Sequence, residues 1–307
     1  MPFGDRVARE VAARGSQLVL GLDPDPARLW PRAAEFAGAA ATPSASPGEC
    51  AARAVAAHCA LVIEAAGEHC VAVKLQVACF ERLGAPGWSA LEEVAVRARE
   101  HGLLVIADAK RGDVDVTATA YAQAFFGQTP TPYGPVAGLG ADALTVNPLL
   151  GADSLAPLVA SAREHGGGLF VLVRTSNPGA ADVQELALAA GGSVSDRLAA
   201  IVVELGEGGV GEAGLADVGA VVGATAPQSI GALRERMPRA IFLLPGVGAQ
   251  GGSVEALGPA FAPGPAGGLI AVSRGIVDAH ERIGSAPADA ARQEAARLQE
   301  LAWALAG

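Results

Sequence analysis

Aromatic side chains make up only 4% of the sequence, and cysteine appears four times. Cys50, Cys59, Cys70 and Cys79 form no C-x-x-C pair and have no histidines at metal-ligand spacing, although His58 precedes Cys59. Structural zinc sites and thiol redox motifs are built on such pairs, so the cysteines read as small buried hydrophobes. Long basic runs are also missing, and the formal net charge is −10. A chain that binds nucleic acid through phosphates concentrates Lys and Arg instead. No stretch offers about 18 uninterrupted apolar residues, the length of a membrane span. The N-terminal segment MPFGDRVAREVAARG is a charged amphipathic helix rather than a secretory signal. The expectation is a cytoplasmic protein without disulfides, a metal site, nucleic acid or membrane among its partners. Antiparallel hairpin signals and repeats of 20–50 residues are absent too.

What the sequence has is small aliphatic bulk. Hydrophobic residues make up 51% of its 307 positions, supplied mostly by Ala, Val and Leu, which suits helices laid closely on parallel strands. Eight short apolar runs recur: QLVLGLD (17–23), CVAVKLQ (70–76), LLVIADA (103–109), ADALTVN (141–147), GLFVLVRT (168–175), DVGAVVGA (217–224), AIFLLPG (240–246) and GLIAVSRG (268–275). Between them lie segments with helical spacing, such as 49–67 and 89–102, and an Ala/Leu helix closes the chain at 288–307. Eight β–α units predict a single (β/α)8 barrel across 1–307, with an N-terminal helix and surface-loop insertions. An open doubly wound sheet also accommodates continuous apolar strands, but the repeat neither pauses nor changes character midway. Residues 24–48 and the glycine-rich 258–268 read as loop insertions.

Active sites of such barrels sit at the C-terminal strand ends, and most of these ends carry polar groups. They are Asp23, Lys74, Asp108 with Lys110, Asn147, Arg174 to Asn177, Gln250 and Arg274. The densest cluster is ADAKRGDVDVTATAYA (107–122). Residues two apart on a strand point the same way, so Asp108 and Lys110 project together. Asp113 falls at the turn into the next helix, as an N-cap or as part of the site, and Thr117 lies one helical turn later. Two acids flanking Lys110 keep it protonated, which suits a proton donor better than an amine nucleophile. The RGD tripeptide within this cluster is a coincidence in such a chain.

The second constellation is LLPGVGAQGG (243–252), a strand followed by a Gly-rich turn of the kind that brings backbone N–H groups close to phosphate. Arg274 in AVSRGI (271–276) adds a guanidinium fork at the next strand end. In LVRTSNPGA (172–180), Ser176 and Asn177 either hydrogen-bond a heterocycle edge or form an ordinary turn.

Taken together these blocks resemble the orotidine 5′-phosphate decarboxylase family, particularly its longer bacterial branch, from about residue 16 to 277. DAKRGD followed by VTATAYA carries most of the resemblance, with LGLDPD, VKLQVACFE, RTSNPG, PGVGAQGG and SRGI in the family's order. The resemblance implies a cofactor-free lyase of pyrimidine and UMP biosynthesis, acting on orotidine 5′-phosphate as a homodimer with shared active sites. Residue by residue, it implies that Lys110 protonates C6 of the pyrimidine and that Asp108 faces the departing carboxylate. Lys74 and Asp23 complete the charged network and contact the ribose. Asp113 and Thr117 reach into the neighbouring subunit's site, and Ser176 binds the pyrimidine edge. Gln250 and Arg274 hold the phosphate with backbone groups near Gly248 and Gly275, and Gly179–Ser193 forms a mobile lid. Two alternatives stay open: a Mg²⁺-dependent sugar-phosphate lyase of the same superfamily, and a non-catalytic barrel that binds a phosphorylated metabolite.

Overall fold

The computed structural model describes residues 1–39, 44–248 and 250–306. Its centre is a closed barrel of eight parallel strands: β1 (Leu18–Leu22), β2 (Ala72–Gln76), β3 (Leu104–Arg111), β4 (Ala143–Val146), β5 (Gly168–Arg174), β6 (Val218–Val222), β7 (Phe242–Pro245) and β8 (Gly268–Val272). Each pairs with its neighbours in chain order, and β1 closes the ring against β8 through Leu18 opposite Ile270. All eight apolar runs therefore form the strands expected of them, a residue or two shorter than the sequence suggests at several ends. A short antiparallel hairpin, Gln128–Thr129 with Val136–Ala137, is an addition that the sequence pattern did not signal.

Strand alternation divides the core in two. One set of side chains packs outward against the helices, including Leu18, Leu20, Val73, Leu75, Val105 and Leu144. The other set fills the barrel interior: Val19, Ala72, Ile106, Ala143, Phe170 and Leu243, among others. Phe3, Val7 and Val11 of the helix Phe3–Arg14 join that inner cluster. The amphipathic N-terminal segment is thus a plug for the barrel floor. The same inward positions turn polar toward the C-terminal strand ends, so the two-residue period that builds the core also sets out the site.

The helix Pro47–Ala66 begins with a complete capping box, Ser46 with Glu49. With the turn that follows, it is long and apolar enough to cross a membrane, but 56% of its most apolar window is buried inside the fold. It packs against the helices Ala85–Glu100 and Pro287–Ala306, as a core helix does.

Both expected loop insertions carry structure. Segment 24–48 contains the helix Pro31–Ala39, and residues 40–43 lie outside the described set. Trp30 anchors it: the ring is buried, the indole N–H donates to the Val277 carbonyl at 3.1 Å, and the backbone N–H donates to His58 Nδ1 at 3.1 Å. Segment 258–268 forms two 3-10 turns, Glu255–Phe261 and Pro265–Gly267, with Leu257, Ala260, Phe261 and Ala266 buried. Small apolar residues let this segment pack as a floor where its Pro/Gly content suggests a surface loop. Arg234 ties that floor to the barrel by donating to the carbonyls of Met237, Ala240, Ala260 and Gly267 at 2.7 to 2.9 Å.

The cysteines are all free; Cys59 and Cys70 are buried, and Cys50 and Cys79 are partly so. Burial pushes the Cys70 thiol up to about 12. It also lowers His58 to about 4, leaving a neutral ring whose Nδ1 is already occupied by Trp30.

Candidate active site

The inward-facing residues at the strand ends enclose a pocket. Gly21 and Asp23 come from β1 and its end, Lys74 and Gln76 from β2, Asp108 and Lys110 from β3, and Thr145 from β4. Gly21 permits the close approach of β8: a Cβ there would stand 2.7 Å from that of Ser273. Leu172, Val221, Leu243 and Pro245 supply an apolar wall. Ser176 and Gln250 follow β5 and β7, and Arg274 follows β8, the strand that closes the ring against β1.

The charged side chains alternate in sign. Lys74 Nζ lies 3.6 Å from Asp23 Oδ1 and 2.7 Å from Asp108 Oδ2, and Lys110 Nζ lies 2.6 Å from Asp108 Oδ1. Gln76 and Thr145 donate one further hydrogen bond each to Asp108, at 3.2 and 2.9 Å. Both Asp108 oxygens thus accept two donors. Burial opposes charge on Lys74, but Asp108 and Asp23 outweigh it and hold the ammonium above the usual lysine range. Burial likewise opposes charge on Asp108, but Lys74 and then Lys110 outweigh it and hold the carboxyl below the usual carboxylate range. The result is a fixed array of full charges that needs no rearrangement to face a reacting group.

Several expectations change in detail. Asp108 and Lys110 do meet, but by way of a bulge: β3 pairs Ala107 with Leu144 and resumes at Arg111 with Val146. Lys110 adopts a left-handed backbone, φ 50°. The acids around the lysines are Asp23 and Asp108, not Asp108 and Asp113. Asp113 accepts the Val114 N–H at 2.8 Å and does not cap the helix Asp115–Phe125, which starts at Val114 without a side-chain cap. Asp113 is partly exposed, Thr117 is exposed, and neither lines the pocket of its own chain.

Gly248 and Gly275 also fall outside the lining. The Gly248 N–H is spent within its own turn, on the Gly252 carbonyl at 2.9 Å, and Gly246, Val247 and Gln250 face the pocket instead. Gly275 lies in the short helix Arg274–Val277, where it packs on Val272. Asn147 is a turn residue: its Oδ1 accepts the Leu149 N–H at 3.1 Å, and its backbone N–H donates to Arg111. Arg174 bonds Glu185 and the Thr175 carbonyl. Gln76, Thr145 and Ser273 are polar lining residues that the sequence pattern did not single out. Gln76 sits two positions after Lys74 and therefore on the same face, and Thr145 is the polar inward residue of an apolar strand.

The family model described as "Orotidine 5'-phosphate decarboxylase / HUMPS family" matches residues 16–288. A similar curated protein is "Orotidine 5'-phosphate decarboxylase" of Deinococcus radiodurans, 47% identical over 216 residues, covering 70% of this chain and 74% of that one. Among solved structures, a putative orotidine 5'-phosphate decarboxylase from Streptomyces avermitilis superposes with a TM-score of 0.77 at 34% identity, covering 100% of this chain and 96% of that one. Leishmania donovani UMP synthase superposes with a TM-score of 0.74, also at 34% identity; 99% of this chain is covered, spanning 56% of that longer protein. A model match over most of the length, together with the 47% relative, shows that the chain belongs to the orotidine 5′-phosphate decarboxylase family.

Proposed function

We propose that the chain converts orotidine 5′-phosphate to uridine 5′-phosphate and carbon dioxide without a metal or organic cofactor, as a cytoplasmic homodimer. The observation that carries this is Asp108 held between two ammonium groups inside the pocket, with Gln250 and Arg274 lining the same cavity. Breaking the bond from C6 to the carboxylate leaves an electron pair on a ring carbon with no adjacent electron sink. The Lys110 ammonium offers positive charge to that pair and then a proton, forming the C6–H bond; the neutral amine regains its proton from solvent. Asp108, beside the departing carboxylate, orients Lys110 by its 2.6 Å contact. Lys74 and Asp23 contact the ribose and fix the far side of Asp108. Ser176 binds the pyrimidine edge, and Gln250 with Arg274 holds the phosphate.

Segment Gly179–Ser193 closes over the bound nucleotide, and phosphate binding energy drives that closure. From the middle of the segment, Glu185 pairs with Arg174 and Gln184 accepts the Thr175 N–H at 2.8 Å. The dimer reading rests on placement. Asp113 and Thr117 do not line their own pocket, and the exposed Val116, at 83%, lies between them in the chain. Four unpaired cysteines agree with a reducing compartment.

The test is incubation of purified protein with orotidine 5′-phosphate, with and without EDTA, following loss of the orotate absorbance. Uridine 5′-phosphate formed at the same rate in both is the expected result. No turnover by folded protein, or turnover abolished by EDTA, overturns this reading in favour of nucleotide binding alone or of a metal-assisted lyase.

A further inference from the structure

We propose that Thr145 is a positioning residue of the decarboxylation, holding both the backbone and the carboxylate partner of Lys110; the inference rests on the reading of Lys110 as the proton donor. The β3 bulge sets three residues, Asp108, Ala109 and Lys110, opposite Thr145 alone. Leu104 donates its N–H to Val71 on the β2 side, whereas Val105 and Arg111 bond the β4 side, so unbroken alternation would turn the Lys110 N–H toward β2; the bulge turns it toward β4. Here Thr145 Oγ1 accepts it at 3.0 Å. The same hydroxyl donates its own hydrogen to Asp108 Oδ1 at 2.9 Å. That oxygen also receives Lys110 Nζ at 2.6 Å.

A closed circuit results, from the Lys110 N–H through the Thr145 hydroxyl to Asp108 Oδ1 and back through the Lys110 side chain. A hydroxyl is the group that can accept the first of these bonds while donating the second. The circuit matters because Lys110 has a left-handed backbone, φ 50°, a conformation disfavoured for any residue with a Cβ. Such a backbone persists where its surroundings over-determine it. Thr145 is 1% exposed, so water does not readily replace its hydroxyl. Without this hydrogen bond, Lys110 loses its anchor at the main chain, and Asp108 Oδ1 is free to turn. Both displace the ammonium from the reacting carbon, and small misplacements of a catalytic group cost rate steeply.

Valine has the shape of threonine without the hydroxyl, and serine has the hydroxyl without the methyl. The expected result for T145V is a kcat lowered roughly 10- to 100-fold, the range for a lost hydrogen bond to a charged group. KM for orotidine 5′-phosphate stays within about threefold, because the phosphate contacts are untouched. T145S restores kcat to within about threefold of wild type. A merely structural threonine gives another pattern: both variants lower Tm, kcat per folded molecule is unchanged, and serine is no better than valine. That pattern, or a T145V kcat within twofold of an active wild type, overturns the positioning role alone. A wild-type protein without turnover overturns the proposed reaction and this inference with it.

Discussion

Lys74 and Lys110 carry the same charge and grip the same carboxylate, yet the structure predicts opposite consequences for losing them. The Lys110 side chain is 46% exposed and that of Lys74 only 9%. A half-exposed ion pair contributes about 0–1 kcal/mol to stability. Breaking a buried pair by removing one partner costs about 3–5 kcal/mol, because the other charge stays behind in low dielectric. Lys110→Ala therefore changes stability by less than about 1 kcal/mol; its left-handed backbone is equally strained with either side chain. Lys74→Met leaves Asp23 and Asp108 facing each other without their shared cation, and it lowers Tm by roughly 6–10 °C at about 2 °C per kcal/mol. Activity ranks the other way in cause. General acid catalysis contributes about 10²- to 10⁴-fold, and a preorganised charge at the developing anion about 10²- to 10³-fold. Removing both at once with Lys110→Ala lowers kcat at least about 10⁴-fold. The assay pairs loss of orotate absorbance with thermal unfolding, and with calorimetric binding of uridine 5′-phosphate to show that the pocket is intact. A Lys110→Ala enzyme that keeps a tenth of its turnover, or that loses as much stability as Lys74→Met, refutes the division of labour.

The proposed sharing of sites across a homodimer gives a complementation test. Lys110→Ala and Asp113→Ala homodimers are each inactive, and random exchange of subunits restores about a quarter of wild-type activity, since half the dimers are mixed and each of these has one intact site of two. No recovery after confirmed exchange would place Asp113 in its own chain's chemistry or outside the reaction. Arg234 tests the barrel floor. Its guanidinium satisfies four carbonyls and lies 3.7 Å from the centre of the Phe242 ring, while burial lowers its pKa only to about 10, so it is charged at neutral pH. Arg234→Met costs about 3–5 kcal/mol in urea unfolding, through orphaned carbonyls, and leaves kcat unchanged at 25 °C. A loss under about 1 kcal/mol would mean that solvent substitutes for the side chain.

The barrel was legible because its strands are continuous apolar runs at regular intervals, and Lys74, Asp108 and Lys110 because they interrupt such runs at one end. The β3 bulge was not. Nothing in ADAKRGD marks Lys110 for a left-handed backbone, since the bulge is held from β4, where the Thr145 hydroxyl receives the Lys110 N–H. Arg234 was missed for a related reason. In the sequence it looks like the exposed Arg236 two positions on, and only the distant carbonyls of Ala260 and Gly267 make it a buried staple. Gly248 and Gly275 lie beside the pocket lining rather than in it, because a Gly-rich turn specifies backbone freedom and not direction. In this loop the freedom closes the turn upon itself. Asp113 and Thr117 lie outside the pocket of their own chain, so the role proposed for them is one across a subunit boundary.

Charge distribution connects the pocket to the reaction. The whole chain carries −10, while the pocket holds Lys74, Lys110 and Arg274 against Asp23 and Asp108, three cations to two anions, or +1. Screening over roughly 8 Å makes the local balance the one a ligand meets. The balance is uneven within the site. Both carboxylates pair with lysines of the cluster, whereas Arg274, at the end of β8 beside β1, forms no ion pair with either among the described residues. In the proposed binding mode, the phosphate meets a cation, and the substrate carboxylate meets Asp108. Affinity then comes mainly from the phosphate end, and attraction at the reactive end is reserved for the moment when carbon dioxide departs and negative charge moves onto C6 beside Lys110. An interaction stronger in the transition state than in the bound substrate is the kind that raises kcat.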